Sequence, residues 1–227
     1  MRKILPGLVL LTMCQAWAFA QIDDKIADRL YESAKVFDAL MKAPDGGAAK
    51  KVLKDAECVA VIPGVKKAAV GIGGTYGRGA IVCRKDNGKG PWGPPSMIAL
   101  GGGSIGFQLG GQSNDIVMLF MTPESVQRLL KDKVTLGADA SAAAGPKGRE
   151  ISAETSATMR AEILTYGRSQ GVFAGISLKG AVLSPDKDGN KSLYKKEVPA
   201  TDLLITGSMP IPEPARKLVD ALTAAGS

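Results

Sequence analysis

The segment at residues 101–106 carries two residue spacings that occur in enzymes. Glycines at its first, third and sixth places match a dinucleotide-binding pattern, and Gly102-x-Ser104-x-Gly106 matches the turn that presents a serine nucleophile in hydrolases. A dinucleotide site needs a helix that begins at these glycines, so that its N-terminus can hold the pyrophosphate. Residues 107–111 are strand-like instead, and the chain contains no histidine that could act as the base for Ser104. Neither chemistry is therefore predicted.

Two further motifs are incomplete. Ser192-x-x-Lys195 has the spacing of penicillin-binding enzymes but lacks their companion motifs. Asp186-x-Asp188-x-Asn190 begins like a calcium loop, yet Lys191 stands where that loop needs glycine, and a hairpin turn around Asp188-Gly189 is the better interpretation. A chain with three cysteines and no histidine also lacks the usual ligands of a zinc site. We predict a non-enzymatic protein that uses no metal and no cofactor.

Most of the excess positive charge falls in residues 58–112. This segment holds six Lys or Arg residues against a single acid, Asp86, which gives it +5 of the net charge of +7. Such clustering suits an anionic partner such as lipid headgroups, and the alternative is that the charges serve solubility. Trp92, in the proline-rich loop 90–95, fits either a membrane interface or the core. The candidate ligand-binding residues are Lys66, Lys67, Arg78, Arg84, Lys85, Lys89 and Trp92.

The first 20 residues have the order of a bacterial signal peptide. Two basic residues precede a short apolar stretch, and Ala18-Phe19-Ala20 places small residues at the cleavage positions before Gln21. We therefore expect export to the periplasm or cell envelope. In an oxidising compartment, Cys58 and Cys83 on neighbouring predicted strands can form a disulfide, and two buried free thiols are the alternative.

Hydrophobic periodicity predicts the elements that must position these residues. Helices are predicted at residues 22–41, 48–55, 123–131 and 214–224. Strands are predicted at residues 58–62, 68–72, 80–84, 97–100, 104–109, 115–121, 153–163, 172–178 and 181–183. Closely spaced strands favour antiparallel pairing, and glycines inside strands favour curvature. We predict an α+β fold of a single domain: a curved, mainly antiparallel sheet or partly closed barrel with flanking helices.

Several motifs, in order along the chain, resemble the SYLF domain family. The opening motifs are Ala56-Glu57-Cys58-Val59-Ala60-Val61-Ile62-Pro63, Lys66-Lys67-Ala68 and the glycine run at residues 73–79. Trp92-Gly93-Pro94-Pro95-Ser96 and residues 106–111 and 115–118 continue the pattern, followed by a central signature at 136–149 and a closing signature at 166–180. The resemblance covers about residues 26–183 of a single domain spanning 21–227, with residues 184–227 as a C-terminal extension.

This resemblance implies a protein that binds lipid or membrane and has no catalytic site. Members of the family are described as lipid-binding, with phosphoinositide binding in eukaryotes and actin binding in yeast relatives. The two later signatures add Arg149 and Arg168 as candidate ligand residues. Actin binding belongs to eukaryotic members with added segments, so actin is not an expected partner, and neither is nucleic acid. The predicted function is binding of an anionic lipid or membrane surface in the bacterial envelope. The alternative is a periplasmic structural or interaction protein with a protein or polysaccharide partner.

Overall fold

A nine-stranded sheet with helices on both faces is formed by the residues that the computed structural model describes, which are 23–44, 46–70, 72–86, 88–105, 112–146, 160–169 and 171–226. The helices are α1 (Asp24–Lys42), α2 (Gly46–Leu53), α3 (Pro123–Lys131), α4 (Lys187–Tyr194), α5 (Ala200–Leu204) and α6 (Arg216–Gly226), with a 3₁₀ turn at Glu213–Ala215. The strands are β1 (Cys58–Val70), β2 (Ile72–Cys83), β3 (Ser96–Ile105), β4 (Gln112–Phe120), β5 (Val134–Thr135), β6 (Ala142–Ala144), β7 (Ile163–Ser169), β8 (Val172–Gly175) and β9 (Val182–Pro185).

The strands are arranged in the order β5-β9-β3-β2-β1-β4-β7-β6, and β8 pairs with β7 beside β6. All described pairings are antiparallel except β6 with β7. The sheet is curled but open, a half-barrel with flanking helices. The predicted α+β fold with a curved, mainly antiparallel sheet is confirmed.

Each face of the sheet carries its own apolar cluster, because successive side chains of a strand point to opposite faces. In β1, Val59 and Val61 belong to a cluster with α1, α2 and α6, which we call the α1-side cluster. Ala60 and Ile62 belong to a cluster with α3 and α5, which we call the α3-side cluster. With both faces covered, the base of β1 is buried on all sides.

The helices form largely where the apolar spacing predicts them. Helix α1 begins at a cap in which the Asp23 carboxylate accepts a hydrogen bond from the Lys25 amide, and it buries Ile26, Leu30 and Phe37 against the sheet. Helix α3 begins at Thr122, whose hydroxyl accepts from the Ser125 amide, with proline in the first turn. None of the described helices combines the length and apolar character needed to cross a bilayer.

The central strands are longer than the sequence predicts. Two predicted strands merge into β1, because Pro63-Gly64 forms a bulge at which the register shifts and does not end the strand. The glycine run at 73–79 lies inside β2. The predicted strand 97–100 and the first two residues of the predicted strand 104–109 belong to the single strand β3, and residues 106–109 lie outside the described residues. The glycines serve close packing: a Cβ on Gly79 would lie 2.0 Å from the Val61 carbonyl oxygen. Reading glycine as a strand end was therefore wrong here.

Two local predictions are wrong near the end of the chain. Asp186 to Asn190 do not make a hairpin turn. Asp186 caps helix α4, its carboxylate accepting from the Gly189 amide at 3.0 Å, because an acid preceding a helix satisfies an otherwise unpaired N–H group. Of the strand predicted at 153–163, the described residues 160–162 form a turn and bend, and Ile163 is the first residue of β7. Residues 153–159 of that prediction and the predicted signal peptide at 1–20 lie outside the described residues.

Candidate functional site

An open groove lies between the first turns of α1 and the β1–β2 pair just beyond the Pro63-Gly64 bulge. Its volume is about 470 Å³. Four cations and two acids line it, together with an exposed tyrosine. The lining residues are Lys25, Asp28, Arg29, Glu32, Pro63, Gly64, Lys66, Tyr76, Gly77 and Arg78. We call this the α1 groove.

The strand register brings the β-strand residues of the α1 groove together. Lys66 pairs with Tyr76 across β1 and β2, and Arg78 follows two positions later on the same face of β2. The Arg78 Nε donates a hydrogen bond to the Tyr76 hydroxyl, and 53% of Tyr76 is exposed. Gly77, between them, faces the α3-side cluster, where an added Cβ would lie 2.7 Å from Val65 Cγ2. The side chains of Tyr76, Lys66 and Arg78 therefore lie next to one another on one exposed part of the sheet.

Asp186 holds two arginines at the inner wall of the α1 groove. Its Oδ2 lies 3.4 Å from Arg29 Nη1 and 3.7 Å from Arg78 Nη1, while only 6% of its side chain is exposed. Its other oxygen caps helix α4 through the Gly189 amide. One buried carboxylate thus connects α1, β2 and α4 and brings two guanidinium groups close to each other.

Both arginines stay charged in this setting. Burial lowers the pKa of Arg29, and the charge of Asp186 acts against that change. The charge of Asp186 raises the pKa of Arg78, as does the hydrogen bond to Tyr76. An arginine keeps its proton at any physiological pH. The two guanidinium groups therefore outnumber the carboxylate between them, which leaves donors and one positive charge for an anionic ligand.

The remaining described cations of the basic segment lie elsewhere. Arg84 follows the end of β2, six residues from Arg78 and so about 20 Å away along the strand. Lys85 and Lys89 belong to the loop after it, in which the Lys89 amide donates to the Asp86 carbonyl. The structure therefore divides the described cations of the segment into two groups, one near the middle of β2 and one just after its end, and only Lys66 and Arg78 are placed at the α1 groove.

Trp92 lies in the core and not at an interface. Only 4% of the residue is exposed, and its ring belongs to the α1-side cluster. The Arg84 guanidinium carbon lies 4.2 Å from the ring centroid and covers it, and burial lowers the pKa of Arg84. Of the two uses that the sequence left open for Trp92, the structure selects the core, so Trp92 is not available at the surface as a ligand contact.

Arg168 lies close to the α1 groove but is engaged in internal contacts. Its Nη1 is 3.7 Å from Asp115 Oδ2, and its guanidinium lies 5.7 Å from the Phe173 ring centroid. Asp115 in turn accepts a hydrogen bond from the Gly64 amide at 3.0 Å, which ties β4 to the bulge. Lys67 pairs through its backbone with Thr75 and Gln112, and its side chain falls outside the described part of the structure, as does all of Arg149.

Sequence reasoning missed three residues of this region. Lys25 and Arg29 lie on α1, whose mixed polar face gives no signal of a cationic site. Asp186 is distant in sequence and was interpreted as part of a turn. Only the packing of α1 and α4 against β2 brings these residues together, so no local pattern could have found them.

Cys58 and Cys83 form a disulfide between directly paired positions of β1 and β2, with their Cα atoms 4.0 Å apart. The cysteines are 1% and 3% exposed and face the α3-side cluster. A cavity of about 30 Å³, the size of a water molecule, lies beside them. Within the described residues, no three Cys, Asp or Glu side chains are grouped so that they could hold a metal ion.

Known proteins resemble this chain over most of its length. The family model described as "Ysc84: Las17-binding protein actin regulator" matches residues 101–225, more than half of the chain. An SH3 domain-containing protein of Schizosaccharomyces pombe is 38% identical over 147 residues, which are 63% of this chain and 34% of that protein.

Two named relatives extend the match. SH3 domain-containing YSC84-like protein 1 of Rattus norvegicus is 33% identical over 180 residues, covering 79% of this chain and 52% of the relative. Protein YSC84 of Saccharomyces cerevisiae is 32% identical over 174 residues, covering 75% of this chain and 36% of the relative. The chain thus spans between about a third and about half of the length of these relatives. Together with the ordered signatures in the sequence, these matches show that the chain belongs to the Ysc84 family of SYLF-domain proteins.

Proposed function

We propose that this protein binds the anionic headgroups of a membrane surface through the α1 groove, and that it acts by binding and not by catalysis. The observation that carries the proposal is the convergence of Lys25, Arg29, Lys66 and Arg78 on one open groove of about 470 Å³. A phosphate oxygen is a good acceptor for guanidinium and ammonium donors, and an arginine can bind it through two parallel hydrogen bonds.

The geometry favours a headgroup over a small soluble ligand. The groove is shallow and open, and Tyr76 stands exposed at its rim. Tyrosines are enriched at membrane–water interfaces, where the ring meets the apolar boundary and the hydroxyl stays hydrated. Because Asp186 holds the guanidinium groups of Arg29 and Arg78 in place, a phosphate that binds both would occupy a defined position in the groove.

The test is co-sedimentation of the protein with phosphatidylcholine vesicles that contain or lack phosphatidylglycerol, at low and high salt. A basic residue near an anionic membrane contributes about 1 kcal/mol, so Lys66→Gln/Arg78→Gln should lose about 2 kcal/mol, near 30-fold in affinity. The matched control is Lys85→Gln/Lys89→Gln, which removes the same charge just after the end of β2. Equal losses in the two variants would show that net charge, and not the α1 groove, governs binding.

A protein partner is the second candidate function. The family description names Las17 binding and actin regulation, which argues against the expectation that actin is not a partner. We propose that the same groove would serve an acidic protein surface, since its chemistry is the same. Co-sedimentation with filamentous actin, with Lys66→Gln/Arg78→Gln as the negative variant, separates this function from lipid binding. A periplasmic protein or polysaccharide partner would instead be found by capture from a periplasmic extract.

We propose in addition that the protein is exported to the bacterial envelope. The signal-peptide pattern of residues 1–20 supports this, and so does the Cys58–Cys83 disulfide, because disulfides persist in oxidising compartments. Cell fractionation followed by N-terminal sequencing tests the proposal. Recovery of a mature chain beginning at Gln21 in the envelope or periplasmic fraction is the expected outcome, and an uncleaved chain in the cytoplasm would contradict it.

A further inference from the structure

The sheet continues past the α1 groove. Beyond the Lys66–Tyr76 pair, β1 and β2 remain hydrogen-bonded as far as Val70 and Ile72. The last three pairs of this extension, from Ala68–Gly74 to Val70–Ile72, measure about 10 Å. Strand β3 accompanies β2 over the same distance, ending at the Ile72–Ile105 pair. We call the part of β1 from Ala68 onward, of β2 up to Gly74 and of β3 from Gly103 the sheet tip; it begins one residue pair beyond Lys67.

The sheet tip carries no charged residue. From Ala68 to Gly77 the chain consists of small, apolar and uncharged residues, and so does β3 from Leu100 to Ile105. A Cβ added to Gly74 would meet nothing within 4 Å, so this part of the tip has open space beside it. The described part of the tip is therefore uncharged and, at Gly74, unobstructed, which is compatible with a partner of low polarity.

Exposed apolar surface occurs at the same end of the sheet. Val172 is 68% exposed, and in β8 it pairs with Ser169, one position beyond the Asp115–Arg168 pair that adjoins the bulge. Tyr76 is 53% exposed at the start of the tip. Two of the exposed large hydrophobic residues in the described structure therefore lie at the level where the tip begins.

We propose that the sheet tip inserts into the outer layer of a membrane while Lys66, Tyr76 and Arg78 remain at the level of the headgroups. The order is uncharged tip, then Lys67 on β1 and Tyr76 on β2, then Lys66 and Arg78, which follows the order of environments from the acyl chains to the aqueous surface. The inference rests on the proposed function, and it adds which part of the protein enters the bilayer and how deeply.

Backbone pairing makes this insertion physically feasible. A polar backbone group in hydrocarbon must have an internal partner, and loops lack such partners. In the sheet tip, β2 lies between β1 and β3, with pairing described on both sides up to Ile72. As far as the structure describes it, β2 therefore carries its hydrogen bonds with it. A depth of about 5–10 Å, typical of interfacial elements, is within the length of the tip.

The experiment uses tryptophan as a depth reporter in the full chain. Ile72→Trp places an indole at the sheet tip, and Val70→Trp provides a second, independent reporter at the paired position. The matched control is Ile205→Trp, a 44% exposed position beside Arg84 at the opposite end of the sheet. Each variant is mixed with phosphatidylcholine–phosphatidylglycerol vesicles whose acyl chains carry bromine close to the headgroup. Every variant also carries Trp17→Phe, so that Trp92 is the one native tryptophan left and contributes the same buried background emission to all of them.

Emission from Ile72→Trp or Val70→Trp should shift to the blue and be quenched by the brominated chains, while Ile205→Trp should stay unquenched. Ile72→Asp, checked for a wild-type melting curve, should lower vesicle affinity at least about tenfold because a charge would enter the apolar layer. Vesicle binding without quenching at either tip position would overturn insertion and leave headgroup binding intact. Absence of binding to any anionic vesicle would overturn both the insertion and the proposed function.

Discussion

Removing the Cys58–Cys83 disulfide should destabilise the protein by an amount that depends on the length of the loop it closes. The bond connects residues 25 apart in sequence. Closing a loop of this length in the unfolded chain costs entropy equivalent to about 3.5 kcal/mol at 25 °C in the chain-entropy model. The reduced protein should therefore lose about that much free energy of unfolding. Because the cysteines are 1% and 3% exposed, reduction should require opening of the sheet and proceed slowly in the native protein.

The assay is equilibrium unfolding in urea, followed by circular dichroism, of the oxidised protein and of Cys58→Ala/Cys83→Ala. With a denaturant dependence of about 2–3 kcal/mol/M for a chain of this size, the midpoint should fall by about 1.2–1.8 M. Cys58→Ala and Cys83→Ala singly control for lost packing, and each should resemble the double variant. A midpoint change below about 0.3 M would refute the reasoning, because it would mean that β1 and β2 stay associated in the unfolded chain without the bond.

Three further predictions concern stability. Gly79→Ala should lower the free energy of unfolding by about 2–3 kcal/mol or prevent folding, since its Cβ would lie 2.0 Å from the Val61 carbonyl oxygen. Gly74→Ala, with open space around it, should change the free energy of unfolding very little, and comparable losses in the two variants would contradict the packing argument. Asp186→Ala should lower the free energy of unfolding in urea by about 2–3 kcal/mol and Asp186→Asn clearly less, because asparagine keeps the helix cap but loses both arginine ion pairs; equal losses would assign the whole effect to the ion pairs and none to the cap. Burial would raise the pKa of Glu162, but hydrogen bonds from the Ser141 backbone amide and from Arg128 outweigh burial and lower this pKa. The ionised Glu162 side chain therefore stabilises the folded protein above pH 4.5, the ordinary pKa of the group, and this stabilisation is lost as the pH falls below that value. Comparing wild type with Glu162→Gln from pH 7 to pH 3 checks this, and a difference independent of pH would contradict it.

The sequence predicted the elements whose signals are local. Helix α1 has an acidic cap and apolar residues at helical spacing, and α3 has a hydroxyl cap followed by proline, so both were located within a few residues. The lengths of β1 and β2 were not predictable in this way. Glycine ends a strand when it forms a turn, but it continues a strand when another backbone lies against it, and only the packed sheet distinguishes the two cases.

The candidate site was predictable only in part. Lys66 and Arg78 stand out in a basic segment, but the sequence groups them with Arg84 and Lys85, which the extended form of β2 places about 20 Å away. Arg29 comes from a helix with acids and bases on the same face. Charge density along a chain therefore indicates a class of partner, whereas the shape of the site depends on pairings between distant segments.

The bulge at Pro63-Gly64 determines to which face of the sheet the later residues of β1 point. Before the bulge, odd-numbered Val61 faces the α1-side cluster, whereas after it odd-numbered Val65 faces the α3-side cluster. Lys66 reaches the α1 groove only because of this inversion. A regular ladder with the same number of residues and no bulge would turn Lys66 to the other side of the sheet, although the protein would lose no charge and the disulfide at the base of the strand would keep its place. Deleting one residue at the bulge would instead restore strict alternation and leave Lys66 on the side of the α1 groove. The one extra residue at the bulge therefore determines on which side of the protein the Lys66 cation lies.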